Sequence, residues 1–313
     1  MSFDFTAVSA PFRMQPGLRR LAPGESQLTP NQPGDRALAE KLAVLRDHPA
    51  QALLATKGFD AAPALRALCD HATIECPDAF GLDACGGWHA HRLGWSVQGD
   101  VVRGVGEEDI GGCLRGLPAP WRRAGLLALA FAQDFAVVDA GTGRIPWLAV
   151  CLPSNWAPEE KIGRHFAEVH APVADNAMVI NAADHLMRLV TGPVRWERFV
   201  WTVSRQYSLG QHPLRNAAAP WPTGIDADAL AARAFFRTER QTFIPVPGQL
   251  QSVFTIHVEN DPLVEAIDSA AKARQVHDAL ASMSPAVIAY RGLTDGRDRL
   301  LQWLAARAET PAA

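Results

Sequence analysis

Residues 134–152, DFAVVDAGTGRIPWLAVCL, carry the clearest β-strand signal in the chain. Two short apolar runs, Asp134–Asp139 and Ile145–Leu152, flank the turn sequence GTGR at 141–144, where glycine can adopt the positive φ that a tight turn needs. This pattern predicts an antiparallel hairpin. Further strands are predicted downstream, at Trp196–Ser204, Ala234–Ile244 and Gln251–Val258.

Helical periodicity predicts most of the remaining elements. The predicted helices are Ala37–Leu45, Ala61–His71, Pro118–Gln133, Pro158–His170, Asp175–Leu189, Pro262–Ala281 and Thr294–Ala308. Because short loops join the strand pairs, the sequence indicates an α+β fold in which a largely antiparallel sheet has helices on one side. The proline-punctuated stretch 210–225 is predicted to be a linker or a functional flap.

The chain divides into three predicted regions. Residues 1–35, rich in proline, glycine and arginine, are predicted to form an extended arm across the surface of the domain. Residues 36–260 hold the predicted strands and form the main domain. Residues 261–313 are predicted to form C-terminal helices that pack on the same domain.

Composition restricts the class of function. Of the 313 residues, 48% are hydrophobic and 20% are charged, and the net charge of −3 gives no basic field for nucleic acid or an anionic membrane. The five cysteines form no CxxC pair, which is typical of reduced thiols and unlike an iron–sulfur site. The N-terminus lacks a signal-peptide pattern, and no apolar run approaches the ~20 residues of a membrane helix. We therefore expect a cytoplasmic protein.

The segment LPSNWAPEEKIGRHFAEVHAPV, at 152–173, contains the candidate metal ligands. On a helical wheel Ile162, Phe166 and Val169 form one apolar stripe, with His165 and His170 bordering it on either side. The wheel therefore does not choose between the two histidines.

Pro172 disfavours helical geometry at Ala171, which places His170 among the last helical residues. A histidine at a helix end beside an apolar slot can present one ring nitrogen to a metal such as a haem iron, while the other donates to a carbonyl or carboxylate. The simpler alternative is a hydrogen-bonded residue at the boundary of the core.

The segment FFRTERQTFIPVPGQLQSVFTIHV, at 235–258, places charges within apolar strands. Strand alternation puts residues 237, 239 and 241 on one face and residues 238, 240 and 242 on the other. A turn centred on Pro247-Gly248 would set Gln241 opposite Phe254 and Glu239 opposite Ile256. Such charges are costly unless paired, so they indicate either a polar pocket or a structural Arg–Glu pair that locks the hairpin.

A third segment, APFRMQPGLRRL at 10–21, is a basic and irregular arm. In order along the chain, the three segments together resemble the α-subunit family of haem-dependent oxidative N-demethylases. The matching positions are Pro11-Phe12-Arg13-Met14 and Gly17-Leu18-Arg19, then Pro153, Ser154, Trp156, Pro158, Glu160, Lys161, Ile162, Gly163, His170, Pro172 and Val173, then Arg237, Glu239, Arg240, Gln241, Thr242, Phe254, Thr255 and Ile256.

The resemblance implies a PAS-like antiparallel sheet flanked by helices that holds haem b through a histidine. It assigns the iron ligand to His170, with His165 as the runner-up. The other cofactor contacts that we expect on matching positions are Lys161, Arg237, Gln241 and Phe254. Candidates for catalysis, propionate binding or pocket polarity are Arg237, Glu239 and Arg240.

The activity implied by the resemblance is oxidative, monooxygenase-type N-demethylation of a small secondary or methylated amine such as dimethylamine, using O2 and electrons from a flavin and iron–sulfur reductase subunit. No nucleic-acid or membrane partner is expected. The alternatives are a non-catalytic haem sensor of O2 or NO and a haem-free PAS-like ligand binder. The chain departs from the family pattern at Ala174, Val200 and His257-Val258-Glu259, which leaves the pocket polarity and the substrate open.

Overall fold

A computed structural model describes residues 3–309 of the chain, and two antiparallel sheets form its framework. The strands are β1 (Arg19–Arg20), β2 (Leu53–Ala55), β3 (Phe80–Leu82), β4 (Trp88–Ala90), β5 (Trp95–Gln98), β6 (Val101–Gly104), β7 (Asp134–Asp139), β8 (Arg144–Ala149), β9 (Trp196–Ser204), β10 (Phe235–Pro245) and β11 (Gln251–Pro262). The large sheet has the order β1-β9-β10-β11-β7-β8-β2, and the small sheet has the order β3-β4-β5-β6. The predicted α+β class and antiparallel sheet are confirmed.

Helices follow most of the predicted positions, with several breaks. Within the described residues they are α1 (Arg36–Asp47), α2 (Pro49–Ala52), α3 (Ala62–Glu75), α4 (Glu108–Gly116), α5 (Arg122–Ala130), α6 (Phe166–His170), α7 (Ala177–Asn181), α8 (Ala183–Val190), α9 (Ala227–Ala231), α10 (Leu263–Ala266), α11 (Ala270–Ala281), α12 (Pro285–Tyr290) and α13 (Arg297–Glu309). None of these helices combines the length and apolar composition needed to cross a bilayer.

Helices cover both faces of the large sheet, so the prediction of helices on one side was wrong. The strand β7 shows the reason, because Phe135 and Val137 pack with α1, α3 and α5, whereas Ala136 and Val138 pack with α8. Successive side chains of a strand lie on opposite faces. A strand that is apolar on both faces needs a covering layer on each.

The predicted helix Pro158–His170 is broken in the structure. Gly163 adopts a left-handed φ of 70°, and the backbone around it bonds to the β7–β8 hairpin instead of continuing a helix. The amide of Ile145 donates to the carbonyl of Arg164, and the amide of Phe166 donates to the carbonyl of Gly143. A 3₁₀ turn at Pro158–Glu160 and one α-helical turn, α6, remain, and α6 still ends at His170 as predicted.

The predicted register of the β10–β11 hairpin was wrong by two residues. Gln241 lies opposite Ile256, and Phe254 lies opposite Phe243. The turn closes through the amide of Val246, which donates to the carbonyl of Gln251, so it is centred one residue later than predicted. A shift of two residues keeps every side chain on its predicted face.

The N-terminal arm docks on the sheet. Arg19 and Arg20 pair with Glu197 and Trp196 of β9, and the ring of Phe12 packs edge-on against Trp201. The C-terminal helices α11–α13 share an apolar cluster with the arm and with the neighbouring ends of β9 and β10. Residues 1–2 and 310–313 of the predicted terminal regions lie outside the described residues.

A buried ion pair joins α1 to the start of β7. The Nζ of Lys41, 0% exposed, lies 3.1 Å from Oδ1 of Asp134, 1% exposed. Lys41 also donates to the carbonyls of Phe131 and Gln133, and Asp134 accepts a hydrogen bond from the amide of Leu152. These contacts fix the helix layer to the hairpin.

Lys41→Met is expected to lower the free energy of unfolding by about 3–5 kcal/mol, because it leaves a buried carboxylate without its counter-charge. Urea denaturation measures the change. The double variant Lys41→Met/Asp134→Asn removes the stranded charge and should lose less than the single variant. Equal losses in the two proteins would contradict an essential pairing of these side chains.

Candidate functional site

A cavity of about 530 Å³ lies between the large sheet and the α6–α8 layer. This volume falls in the range of roughly 300–1,000 Å³ typical of small-molecule and cofactor sites. Its apolar wall includes Val138, Ile145, Leu148, Phe166, Val169, Val173, Val179, Leu186, Met187, Val190, Phe243 and Phe254. Its charged lining residues are Lys161, Arg198, Arg205, Arg237, Arg291 and Glu239.

His170 lies in the wall of this cavity at the end of α6. Its Nδ1 donates a 2.8 Å hydrogen bond to the carbonyl of Phe166, and the two rings lie 4.2 Å apart. The tautomer with the proton on Nδ1 leaves a lone pair on Nε2. Within residues 3–309 no group hydrogen-bonds to Nε2, which remains accessible.

Burial keeps the His170 ring neutral. Desolvation, assisted by the charges of Arg198 and Lys161, lowers the pKa of His170 to about 4, although the bond to Phe166 acts in the opposite direction. A neutral imidazole with one fixed N–H and one free lone pair is the form that binds a metal.

His165, the second candidate ligand, has a structural role in the same segment. Its Nδ1 accepts a hydrogen bond from the amide of Ala167, and its own amide donates to the carboxylate of Glu168. These two bonds form a capping box at the start of α6. The cavity lining does not include His165.

The strand β10 presents Arg237, Glu239 and Gln241 to the cavity, on the face that alternation predicted. Ser154 links the first two: its hydroxyl accepts from Nε and Nη2 of Arg237, at 2.9 and 2.7 Å, and donates to Glu239. Gln241 donates to the other oxygen of Glu239 at 2.6 Å. Arg237 also donates to the carbonyl of Leu209, at 2.7 Å, so its guanidinium is already engaged.

Arg240 lies on the opposite face of β10 and is absent from the cavity lining. Its guanidinium forms a buried ion pair with Glu197 of the neighbouring strand at 2.8 Å and donates to the carbonyl of Ser26. Arg240 therefore forms a structural Arg–Glu pair, which was one of the two alternatives that the sequence allowed. The pair joins β10 to β9, however, and does not lock the β10–β11 hairpin.

The two remaining predicted contacts line the cavity. Phe254 stacks on Phe243 across the hairpin, with ring centroids 5.0 Å apart. Lys161 donates to the carbonyl of Val169 at 3.1 Å, and burial lowers its pKa. Six of the seven predicted site residues, including His170, thus line one cavity, and Arg240 is the exception.

Sequence reasoning missed Arg198, which lies on β9 opposite Gln241 and faces the cavity. The sequence contained a signal for this residue, because Arg198 is a charged residue inside the correctly predicted strand Trp196–Ser204. It also missed Arg291, at the end of the unpredicted helix α12. The arm contributes more than expected, because Met14, Gln15, Pro16 and Leu18 form part of the cavity wall.

Replacement of His170 by glutamine should flatten the pH dependence of stability. The folded-state pKa of about 4 lies below the ordinary 6.5, so between these values the unfolded chain binds more protons. Stability is therefore complete above about pH 6.5 and falls as the pH drops toward 4. His257, whose pKa burial also lowers to about 4, contributes the same trend in both proteins.

Urea titrations between pH 7 and pH 4 measure this slope. His170→Gln is expected to reduce it by up to one proton per molecule, and His185→Gln, at an exposed site on α8, is the matched control. Identical slopes for wild type and His170→Gln would show that the His170 ring is not shielded from water.

The comparison with known families gives an extensive match. The family model described as haem-dependent oxidative N-demethylase, alpha subunit-like, matches residues 36–301. That range contains His170 and the charged strand β10, and it excludes the arm. Among the described residues no three histidine, cysteine or acidic side chains are grouped to hold a bare metal ion, whereas a haem iron needs only one histidine. The chain belongs to the haem-dependent oxidative N-demethylase alpha-subunit-like family.

Proposed function

We propose that this chain is the haem-binding subunit of an oxidative N-demethylase and that Nε2 of His170 would bind the haem iron. The main support for this proposal is the hydrogen bond from Nδ1 of His170 to the carbonyl of Phe166, which fixes the ring and leaves Nε2 free in the cavity wall. The family match supports a haem-dependent oxidoreductase.

The described residues fit a haem in chemistry as well as in volume. One side of the cavity is formed by aliphatic and aromatic side chains that suit a porphyrin face, and Phe254 and Phe243 offer stacked rings there. The polar side has an excess of cationic groups, which suits carboxylate-bearing propionates. Lys161, Gln241 and Phe254 remain our proposed contacts, whereas Arg237 organises the wall through Ser154.

Haem b bound at His170 would supply the redox and oxygen chemistry. For dimethylamine the balanced reaction consumes O2, two electrons and two protons, and yields methylamine, formaldehyde and water. In this proposal the electrons come from a partner reductase subunit with flavin and an iron–sulfur cluster, and the "alpha subunit" description supports the presence of a partner subunit. The substrate class is a small secondary or methylated amine.

Glu239 is our candidate for holding the amine. It is the one acidic side chain among the described residues of the cavity wall. Ser154 and Gln241 each donate one hydrogen bond to it, which fixes the carboxylate and leaves lone pairs for an ammonium donor. The surrounding apolar wall excludes water and strengthens this pairing.

We also propose a PAS-like topology for the large sheet. Counted from β7 as strand one, the five strands β8, β7, β11, β10 and β9 stand in the spatial order 2-1-5-4-3, which is the order of PAS domains. The helices α6–α8 follow the second of these strands and cover the cavity, as expected for such a domain.

Haem titration tests the ligand. Wild type is expected to develop a Soret band typical of histidine ligation. His170→Gly should lose that ligation and recover it with added imidazole, because the small residue leaves room for the free ligand. His165→Asn keeps a residue that can cap α6 and should bind haem as wild type does. Unchanged ligation in His170→Gly without imidazole would reject His170 as the ligand.

Formaldehyde release tests the reaction and the role of Glu239. With haem, O2 and a chemical or enzymatic electron donor, wild type should release formaldehyde from dimethylamine. Glu239→Gln, which keeps the shape but not the charge, should lower kcat/KM about tenfold or more with an unchanged Soret band. Glu265→Gln, at an exposed site on α10, is the control. Haem binding without any release of formaldehyde would contradict the enzymatic function and favour the non-catalytic haem sensor.

A further inference from the structure

The charges of the cavity wall are unbalanced. Five basic side chains and one acidic side chain line it within the described residues. Four of the five basic groups have partners in the protein: Arg237 binds Ser154 and Leu209, Lys161 binds the carbonyl of Val169, Arg205 binds the carbonyl of Gly292, and Arg291 binds the carbonyl of Trp201.

The fifth basic group, Arg198, has no such partner. Within residues 3–309 its guanidinium makes no hydrogen bond and no ion pair, and its Nε is fully enclosed. Burial lowers the pKa of Arg198, and the charge of Glu239 compensates only at a distance. An enclosed N–H donor of a guanidinium is costly when it lacks a partner, so the retention of Arg198 indicates a partner outside the chain.

Arg198 also stands between two cavities. A second cavity of about 230 Å³ lies between the arm and β9, and its wall shares Arg198 and Arg291 with the first. Arg13 and Arg19 line it as well, and none of its described lining residues is acidic. Among the residues that the structure describes, no carboxylate lines this side of the Arg198 guanidinium either.

We propose that Arg198 is the carboxylate receptor of the cavity and forms a charge-paired hydrogen bond with an acidic group of the occupant. Guanidinium groups match carboxylates because two parallel N–H donors meet two oxygens. The carboxylate belongs either to a haem propionate or to an amine substrate that carries an acid group. The inference rests on the proposed function for the occupants but not on the iron–His170 bond.

Metal-free protoporphyrin IX and its dimethyl ester are the probes for the first source, because they bind without an iron ligand. The chain of 313 residues is titrated with each porphyrin, and the ratio of the two dissociation constants is measured. Wild type should bind the free acid about 10- to 100-fold more tightly. In Arg198→Met the ratio should fall toward one, because the ester and the acid then meet the same apolar side chain.

Two further variants complete the experiment. Arg198→Lys keeps the charge but not the planar fork, and it should show an intermediate ratio. Arg188→Met removes an arginine from an exposed site on α8 and should keep the wild-type ratio. Thermal unfolding checks that each variant folds, and removal of the unpaired charge should raise the Tm of Arg198→Met relative to wild type.

Sarcosine and N-methylethylamine are the probes for the second source, since they differ by a carboxylate in place of a methyl group. If wild type binds acid and ester porphyrins alike, or binds neither, calorimetry should show that sarcosine binds about tenfold or more tightly than N-methylethylamine. Arg198→Met should abolish that preference.

The proposal is overturned if wild type prefers neither the acid porphyrin over its ester nor sarcosine over N-methylethylamine, or if such a preference survives in Arg198→Met. Failure of haem ligation at His170 would reject the proposed function alone.

Discussion

The hydrogen bond between Nδ1 of His170 and the carbonyl of Phe166 is the interaction on which the site depends. A single turn of helix has little stability of its own, so its geometry must come from its surroundings. Here the capping box of His165 and Glu168 fixes the start of α6, and backbone bonds to Gly143 and Ile145 hold the preceding residues against the sheet. The ring is thereby oriented before any ligand arrives, which lowers the entropic cost of binding.

The electrostatics of the cavity follow from strand pairing. The registers that set Arg198 opposite Gln241 and Val200 opposite Glu239 bring one acid and two arginines to a shared face of β9 and β10. Ser154 connects Arg237 and Glu239 through hydrogen bonds between its hydroxyl and both side chains. What remains is an apolar slot with a cationic edge, an arrangement suited to an apolar ring with acidic substituents and to a small amine beside Glu239.

The sequence predicted local elements well and tertiary neighbours poorly. The limits of β7 and β9 were predicted to the residue, because short runs of strand-forming residues bounded by turn residues are a local pattern. The position of His170 at a helix end was also predicted. The break in the preceding helix was not predicted, because it depends on the hydrogen bond from the amide of Gly163 to the carbonyl of Ile145, which forms only when the β7–β8 hairpin has folded. Strand alternation predicts which face an arginine lies on, but it does not predict whether an acidic partner lies beside it. Arg240 pairs with Glu197 only because β9 is the strand next to β10. The small sheet β3–β6 was missed because its strands are only three or four residues long.

We propose that a neutral imidazole, fixed at the end of a short helix, binds haem iron inside this cavity. A crystal structure of the chain with haem bound tests this proposal. Continuous electron density is expected from the iron to Nε2 of His170, with the porphyrin between the sheet and the α6–α8 layer. Iron bound to another side chain, or a porphyrin outside the cavity, would contradict it.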